Sequence, residues 1–190
     1  MLNKSMDTQE ALSSFRVPGI RNEHLLFLLV CCTSFFVAWN SLDVTPADFF
    51  WKSSDGLGYY QWLPTLFGEQ SFSRMFWCFP IGDDRSISLY TLGVAFLEIP
   101  FFLVAWVYSV ANGSGTTGFE LPYVVAMMGS AAFYAGLGSV YSYRIAARFV
   151  DQRSSALAVL AIYAGSNLFH YTGPQPLMSH AYSYLLVGMS

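Results

Sequence analysis

Asp55 is the residue with the clearest chemical potential in this chain. It lies in Ser53-Ser54-Asp55-Gly56-Leu57-Gly58-Tyr59-Tyr60-Gln61-Trp62-Leu63-Pro64, a carboxylate beside two glycines and then a dense run of aromatics. A carboxylate held at such a boundary can take the proton of a hydroxyl group as that group attacks an electrophile. Tyr59 and Tyr60 offer a substrate their ring faces and hydroxyls. Gly56 and Gly58 lack the Cβ that would hold a ligand away from the backbone. The plain alternative is that Asp55-Gly56 is a turn that starts a helix lying at the membrane surface. Glu98 is a second acid, inside an apolar run. A carboxylate at membrane depth costs about 2.5–3.5 kcal/mol on insertion scales, so it must face protein or water. It is read as a wall of the substrate site or as a buried partner for a positive group. His180 is a third candidate, able to orient a phosphate or an acceptor, or else a histidine at the start of an interfacial helix. No His-x-x-x-His spacing is present, so no metal-ligand set is read. The cofactor is unknown: a divalent metal is open, and nothing in the residues requires one.

The elements around these residues are read as membrane helices. The chain of 190 residues is 54% hydrophobic and only 11% charged, against roughly 25% charged for a soluble domain. Aromatics reach 18%, in keeping with the crowding of Trp and Tyr at membrane interfaces. The acidic balance and the lack of a basic cluster exclude nucleic acid as a partner. Cys31, Cys32 and Cys78 form no disulfide framework and read as packing residues.

The expected fold class is all-α, a multi-span transmembrane protein with a long external first loop that carries amphipathic juxtamembrane helices. Residues 1–23 form a cytoplasmic tail with Lys4, Arg16 and Arg21, which orient the first span, Leu25 to Leu42. Residues 43–88 form the external loop, with Asp43, Asp48, Asp55, Glu69, Asp83 and Asp84 and many aromatics. Within it Tyr59, Trp62, Leu63, Leu66 and Phe67 fall at helical spacing and share one face. Asp83-Asp84-Arg85 reads as a solvated turn. Residues 111–120 are a flexible connector in which Asn112-Gly113-Ser114 fits a glycosylation sequon. Leu121 to Val150 is one long helix rich in small residues, which let helices approach closely. Ser154 to Phe169 is a further span, 170–180 a loop, and Ser179 the expected N-cap of a final helix. The last apolar run, Tyr182 to Met189, is too short to cross, so residues 24–190 read as the N-terminal part of a longer, truncated membrane domain.

Orientation turns on residues 87–110. If every apolar segment crosses, Arg144, Arg148 and Arg153 fall outside, against the positive-inside rule. If 87–110 enters and leaves on one side, bent at Glu98-Ile99-Pro100, these arginines return to the cytoplasm as anchors. The loop 170–180 then shares a side with Asp55.

The motifs in order resemble the N-terminal region of polytopic membrane glycosyltransferases of the GT-C type, the group with protein mannosyltransferases and aminoarabinose transferases. The resemblance is carried by Ser54-Asp55-Gly56-Leu57-Gly58-Tyr59-Tyr60 with Leu63-Pro64. Next come Phe79-Pro80-Ile81-Gly82, Tyr90-Thr91-Leu92-Gly93 and Pro100-Phe101-Phe102. Ser166-Asn167-Leu168-Phe169-His170-Tyr171-Thr172 and Pro176-Leu177-Met178-Ser179-His180-Ala181-Tyr182-Ser183 complete it. It covers most of residues 25–190. Relatives often carry a basic residue just before the Pro-x-Gly element, where this chain has Cys78-Phe79, so the contact to the carrier phosphate is unassigned.

The resemblance implies transfer of a sugar from a polyprenyl-phosphate donor to a glycan, lipid or protein acceptor outside the bacterial cytoplasmic (inner) membrane. It implies Asp55 as the catalytic acid of the first external loop, as general base or as a metal or acceptor ligand. Tyr59, Tyr60, His180 and Glu98 are the candidate substrate-binding residues. A transporter or flippase for a lipid-linked or amphipathic substrate is the rival reading, with Glu98 rather than Asp55 at its centre. A membrane scaffold without catalysis is a third.

Overall fold

The computed structural model describes residues 22–190 except 69, 72–74, 76 and 83–84. The expected cytoplasmic tail, apart from its last two residues, and the Asp83-Asp84 turn therefore lie outside the described residues. The chain is mostly helical. Its order is α1 (Asn22–Asn40), α2 (Pro46–Lys52), α3 (Ser54–Tyr60), α4 (Trp62–Leu66), β1 (Cys78–Pro80), β2 (Ser86–Ser88), α5 (Gly93–Asn112), α6 (Leu121–Ala146), α7 (Gln152–Gly165), α8 (Asn167–Thr172) and α9 (His180–Met189). By length and composition α1, α5 and α6 are each long and apolar enough to cross a membrane.

α6 is the central helix. Glu23 near the start of α1 accepts from Arg144 Nε near the end of α6 at 2.8 Å. Midway, Cys31 Sγ donates to the Ala132 carbonyl, and Ala38 shares a core cluster with Tyr123 and Val124. α1 and α6 therefore run antiparallel. Small residues permit the approach: a Cβ on Gly136 would fall 2.4 Å from Cys31 Sγ, and one on Gly138 2.5 Å from the Tyr184 ring. This is the close helix contact that small residues favour. Ser34 of α1 is bonded to Tyr163 of α7 at 2.7 Å and donates to Thr172 of α8.

The segment between α1 and α5 is folded onto one end of this bundle. Pro46 and Thr45 set the start of α2: Thr45 Oγ1 accepts from the Asp48 amide, and the fixed φ of proline suits a first helical turn. Phe50, Leu57, Tyr60 and Leu63 are buried against Ala95, Phe102, Tyr123 and Leu177. The expected amphipathic face is covered only in part: Leu63 is buried and Tyr59 and Trp62 are half-buried, while Leu66 and Phe67, where α4 ends, are exposed. The all-α expectation also misses a hairpin, β1 antiparallel to β2 with Phe79 opposite Ile87. Three-residue strands are too short to show an alternating pattern in sequence.

α5 corrects the expectation of a bend at Glu98-Ile99-Pro100, for the helix continues through Pro100. Proline removes one backbone donor and opens the preceding turn. The carbonyl left without its helical donor is that of Phe96, an exposed residue, while the next one, Leu97, accepts from the Tyr134 hydroxyl at 2.8 Å and ties α5 to α6. Yet both flanks of α5 are tied to α3. Tyr90 before it donates to Asp55, and the Gly118 carbonyl after it accepts from Tyr60.

The expected span Ser154 to Phe169 is divided. Ser166 has extended backbone, and its hydroxyl caps α8 by accepting from the Leu168 amide. Ser179 stands at the N-cap position of α9, as expected, but with helical backbone and without a side-chain capping bond.

Candidate functional site

Asp55 occupies the first turn of α3, on the surface of the bundle end. Its Oδ1 accepts from the Tyr90 hydroxyl at 2.5 Å. Its other oxygen makes no hydrogen bond among the described residues. The bond to Asp55, with burial adding to it, pushes the Tyr90 phenol up to about 12. The phenol therefore stays a donor through the physiological range.

Tyr59 lies edge-on to Tyr90, with ring centroids 4.9 Å apart. Trp77 adds a third ring, 6.2 Å from Tyr90. Its indole nitrogen donates to the Ser54 carbonyl, and its own carbonyl accepts from the Leu89 amide. Trp77 is held at φ 63°, in the left-handed region. A bulky side chain there costs on the order of 1–3 kcal/mol and is kept only when its surroundings hold it. Asp55 thus stands at one edge of a Tyr59–Tyr90–Trp77 cluster.

Tyr60, one residue beyond Tyr59, is not part of this surface. It is fully buried, stacked on Phe50 at 4.3 Å, and donates to Gly118. Burial pushes its phenol well above the usual tyrosine range. Its expected role as a substrate ligand gives way to a core role, because successive helical residues point to different faces. The glycines are also already covered. A Cβ on Gly56 would fall 2.5 Å from Leu177 Cβ, and one on Gly58 2.2 Å from the Tyr90 ring. They seat protein on α3, not a ligand.

The Gly56–Leu177 contact places the turn after α8 directly against the helix of Asp55. His180, three residues later, is exposed and stacks on Tyr171 with centroids 3.8 Å apart and rings 15° from parallel. No bond joins it to Asp55.

Glu98 is apart from both. It is fully buried, and Oε1 accepts from Tyr182 of α9 at 2.8 Å. Tyr182 also pairs with Ser130, and Oε2 has no partner. Glu98 therefore ties α5 to α9 and does not line the Asp55 surface. At the opposite end of the bundle, Arg144 is engaged with Glu23. Among the described residues no three His, Cys, Asp or Glu side chains come together as a metal site.

Sequence reading missed Tyr90 and Trp77 as members of the Asp55 site. Tyr90 heads an apolar run and looks like an interfacial tyrosine. Only the packing of its ring on Gly58 gives it a different role. No family model, curated protein or solved structure matches the chain.

Proposed function

We propose that the chain is the N-terminal part of a membrane glycosyltransferase that moves a sugar from a polyprenyl-phosphate donor to an acceptor hydroxyl. The observation that carries this reading is the state of Asp55. Its carboxylate is accessible, oriented through one oxygen by Tyr90 and unbonded at the other. A hydroxyl is a poor nucleophile until a placed base takes its proton. In this reading Asp55 accepts the acceptor's proton through its unbonded oxygen. The acceptor oxygen bonds to the sugar's anomeric carbon, the bond from that carbon to phosphate breaks, and the polyprenyl phosphate leaves with the electron pair. Tyr59, Tyr90 and Trp77 supply rings against which a sugar can rest.

The Asp55 end is assigned to the outer face of a bacterial inner membrane. The end with Glu23, Arg144, Arg148 and Arg153 is assigned to the cytoplasm, following the bias of Lys and Arg toward that side. Tyr182 and the core around Glu98 disfavour the transporter reading, which needs its central acid open to a passing substrate.

The test is sugar transfer in membranes from polyprenyl-phosphate donors, comparing wild type with Asp55→Asn and Glu98→Gln at matched insertion. Loss of transfer in Asp55→Asn, with most of it kept in Glu98→Gln, is the expected result. Transfer indifferent to Asp55, or uptake abolished by Glu98→Gln, overturns the reading.

A further inference from the structure

The β1–β2 hairpin has one bare apolar face. Phe79 stands opposite Ile87 in the ladder, and paired residues project to the same side. The pairing runs one rung further at each end. The Ile81 amide donates to the Arg85 carbonyl at 2.9 Å, and the Leu89 amide to the Trp77 carbonyl at 3.1 Å. Side chains alternate between the two faces of a strand, so Phe79, Ile81, Ile87 and Leu89 share one face, with Arg85 at its tip. These four apolar residues are between 47% and 62% exposed. The other face carries Cys78, Pro80, Ser86 and Ser88. It is turned to the protein at Ser88, whose hydroxyl accepts from Gln61 Nε2 at 2.9 Å. Exposed apolar surface continues along the chain through Leu92 and Phe96, four apart and so on one side of α5.

We propose that this hairpin is an interfacial anchor, with Phe79, Ile81, Ile87 and Leu89 laid into the phospholipid surface at the Asp55 end of the bundle. A two-stranded hairpin is marginal in water unless its apolar face is covered, and apolar side chains exposed side by side mark an interaction surface. Lipid is the cover that adjoins it. Only residues 89–92 separate β2 from α5, a helix long and apolar enough to cross a membrane. Whatever covers the hairpin therefore borders the lipid that covers α5. The charge at the tip fits the same partner. The Arg85 side chain is exposed and makes no bond among the described residues, so its stem can lie along apolar surface while the guanidinium reaches a headgroup phosphate. Asp83 and Asp84 adjoin it in sequence, and carboxylates resist hydrocarbon. The hairpin therefore lies along the surface, its apolar face about 5–10 Å into the headgroup boundary, the depth of amphipathic surface elements. Tyr90 follows Leu89 and donates to Asp55. The anchor thus holds the Asp55 carboxylate at headgroup level. It requires α1 and α6 to cross the membrane and is independent of the transferase reading.

The experiment puts an environment-sensitive fluorophore on single cysteines in the full chain, with Cys31, Cys32 and Cys78 replaced by Ala, in phosphatidylcholine nanodiscs holding one copy each. Ile81→Cys and Ile87→Cys report the apolar face. Ser86→Cys reports the opposite face of the same hairpin, and Leu29→Cys, exposed on α1, is the lipid reference. Labels at 81 and 87 should show blue-shifted emission. Lipids brominated near the headgroup end of the acyl chain should quench them several-fold more strongly than the label at 86, which aqueous iodide should quench instead. Iodide reaching 81 and 87 as readily as 86 overturns the anchor, and so does equal lipid quenching on both faces. Shielding of 81 and 87 from both quenchers only in discs with two copies also overturns it, for the face is then a contact between copies. A label at 29 that lipid does not quench removes the membrane premise and the anchor with it. Sugar transfer enters none of these measurements, so failure of the transferase reading leaves their outcome standing.

Discussion

The hydroxyl of Tyr90 donates to Oδ1 of Asp55 across 35 positions of sequence. This bond fixes one oxygen of the carboxylate and leaves the other for a substrate. Tyr90→Phe keeps the ring on Gly58 and removes only the donor. Bonds to charged groups contribute about 1.5–3 kcal/mol, and exposure reduces this, so transfer should fall about tenfold, in kcat more than in KM. The pH sign follows from the raised phenol. Its stabilising contribution is complete below the ordinary tyrosine value of 10 and is lost as pH rises through about 12. Wild type should lose its stability margin over Tyr90→Phe only in that alkaline window. A difference titration of tyrosinate absorbance between the two proteins measures it directly.

Two helical glycines make a second test. Helix propensity alone favours Ala over Gly by about 0.8–1.0 kcal/mol. At Gly129 an added Cβ meets nothing within 4 Å, while at Gly56 it meets Leu177 at 2.5 Å. Gly129→Ala should leave the apparent melting temperature unchanged or higher. Gly56→Ala should lower it through overpacking, by about 1–3 kcal/mol, and should expose the turn after α8 to proteolysis.

Tyr59 and Tyr60 should separate cleanly. Tyr60→Phe strands the Gly118 carbonyl, which should cost about 1–3 kcal/mol of stability and leave substrate affinity alone. Tyr59→Ala removes a ring from the Asp55 surface, so it should raise KM with little effect on melting. If the two variants exchange these phenotypes, the assignment of site and core is wrong.

Glu98→Gln keeps an acceptor for Tyr182 and should melt within about 1 kcal/mol of wild type. Glu98→Ala leaves the Tyr182 hydroxyl with Ser130 alone and opens a cavity, so a loss of about 2–3 kcal/mol is expected. Thermal melts of both variants in nanodiscs decide this.

Orientation is testable with single cysteines in a background where Cys31, Cys32 and Cys78 are replaced by Ala. Ser114→Cys and Gln175→Cys should react with an impermeant maleimide from outside intact cells. Arg148→Cys should react only after the membrane is opened. Labelling of all three from one side would refute the assignment of the two bundle ends.

Composition and pattern alone determined a helical chain with apolar segments near Leu25–Leu42, 87–110 and Leu121–Val150, because a spanning run must be long, uncharged and bounded by polar residues. They also singled out Asp55 as an acid at a boundary. Tertiary structure decided what Asp55 meets. Tyr90 reaches it because Gly58 leaves room for the ring, and Leu177 reaches α3 because Gly56 does. It divided Tyr59 from Tyr60, left Leu66 and Phe67 of the expected stripe exposed, and carried α5 unbroken through Pro100. These outcomes depend on contacts between residues tens of positions apart, whose geometry no local spacing encodes. Hydrophobic pattern reports how far a segment must leave water. It does not report which partner covers each face.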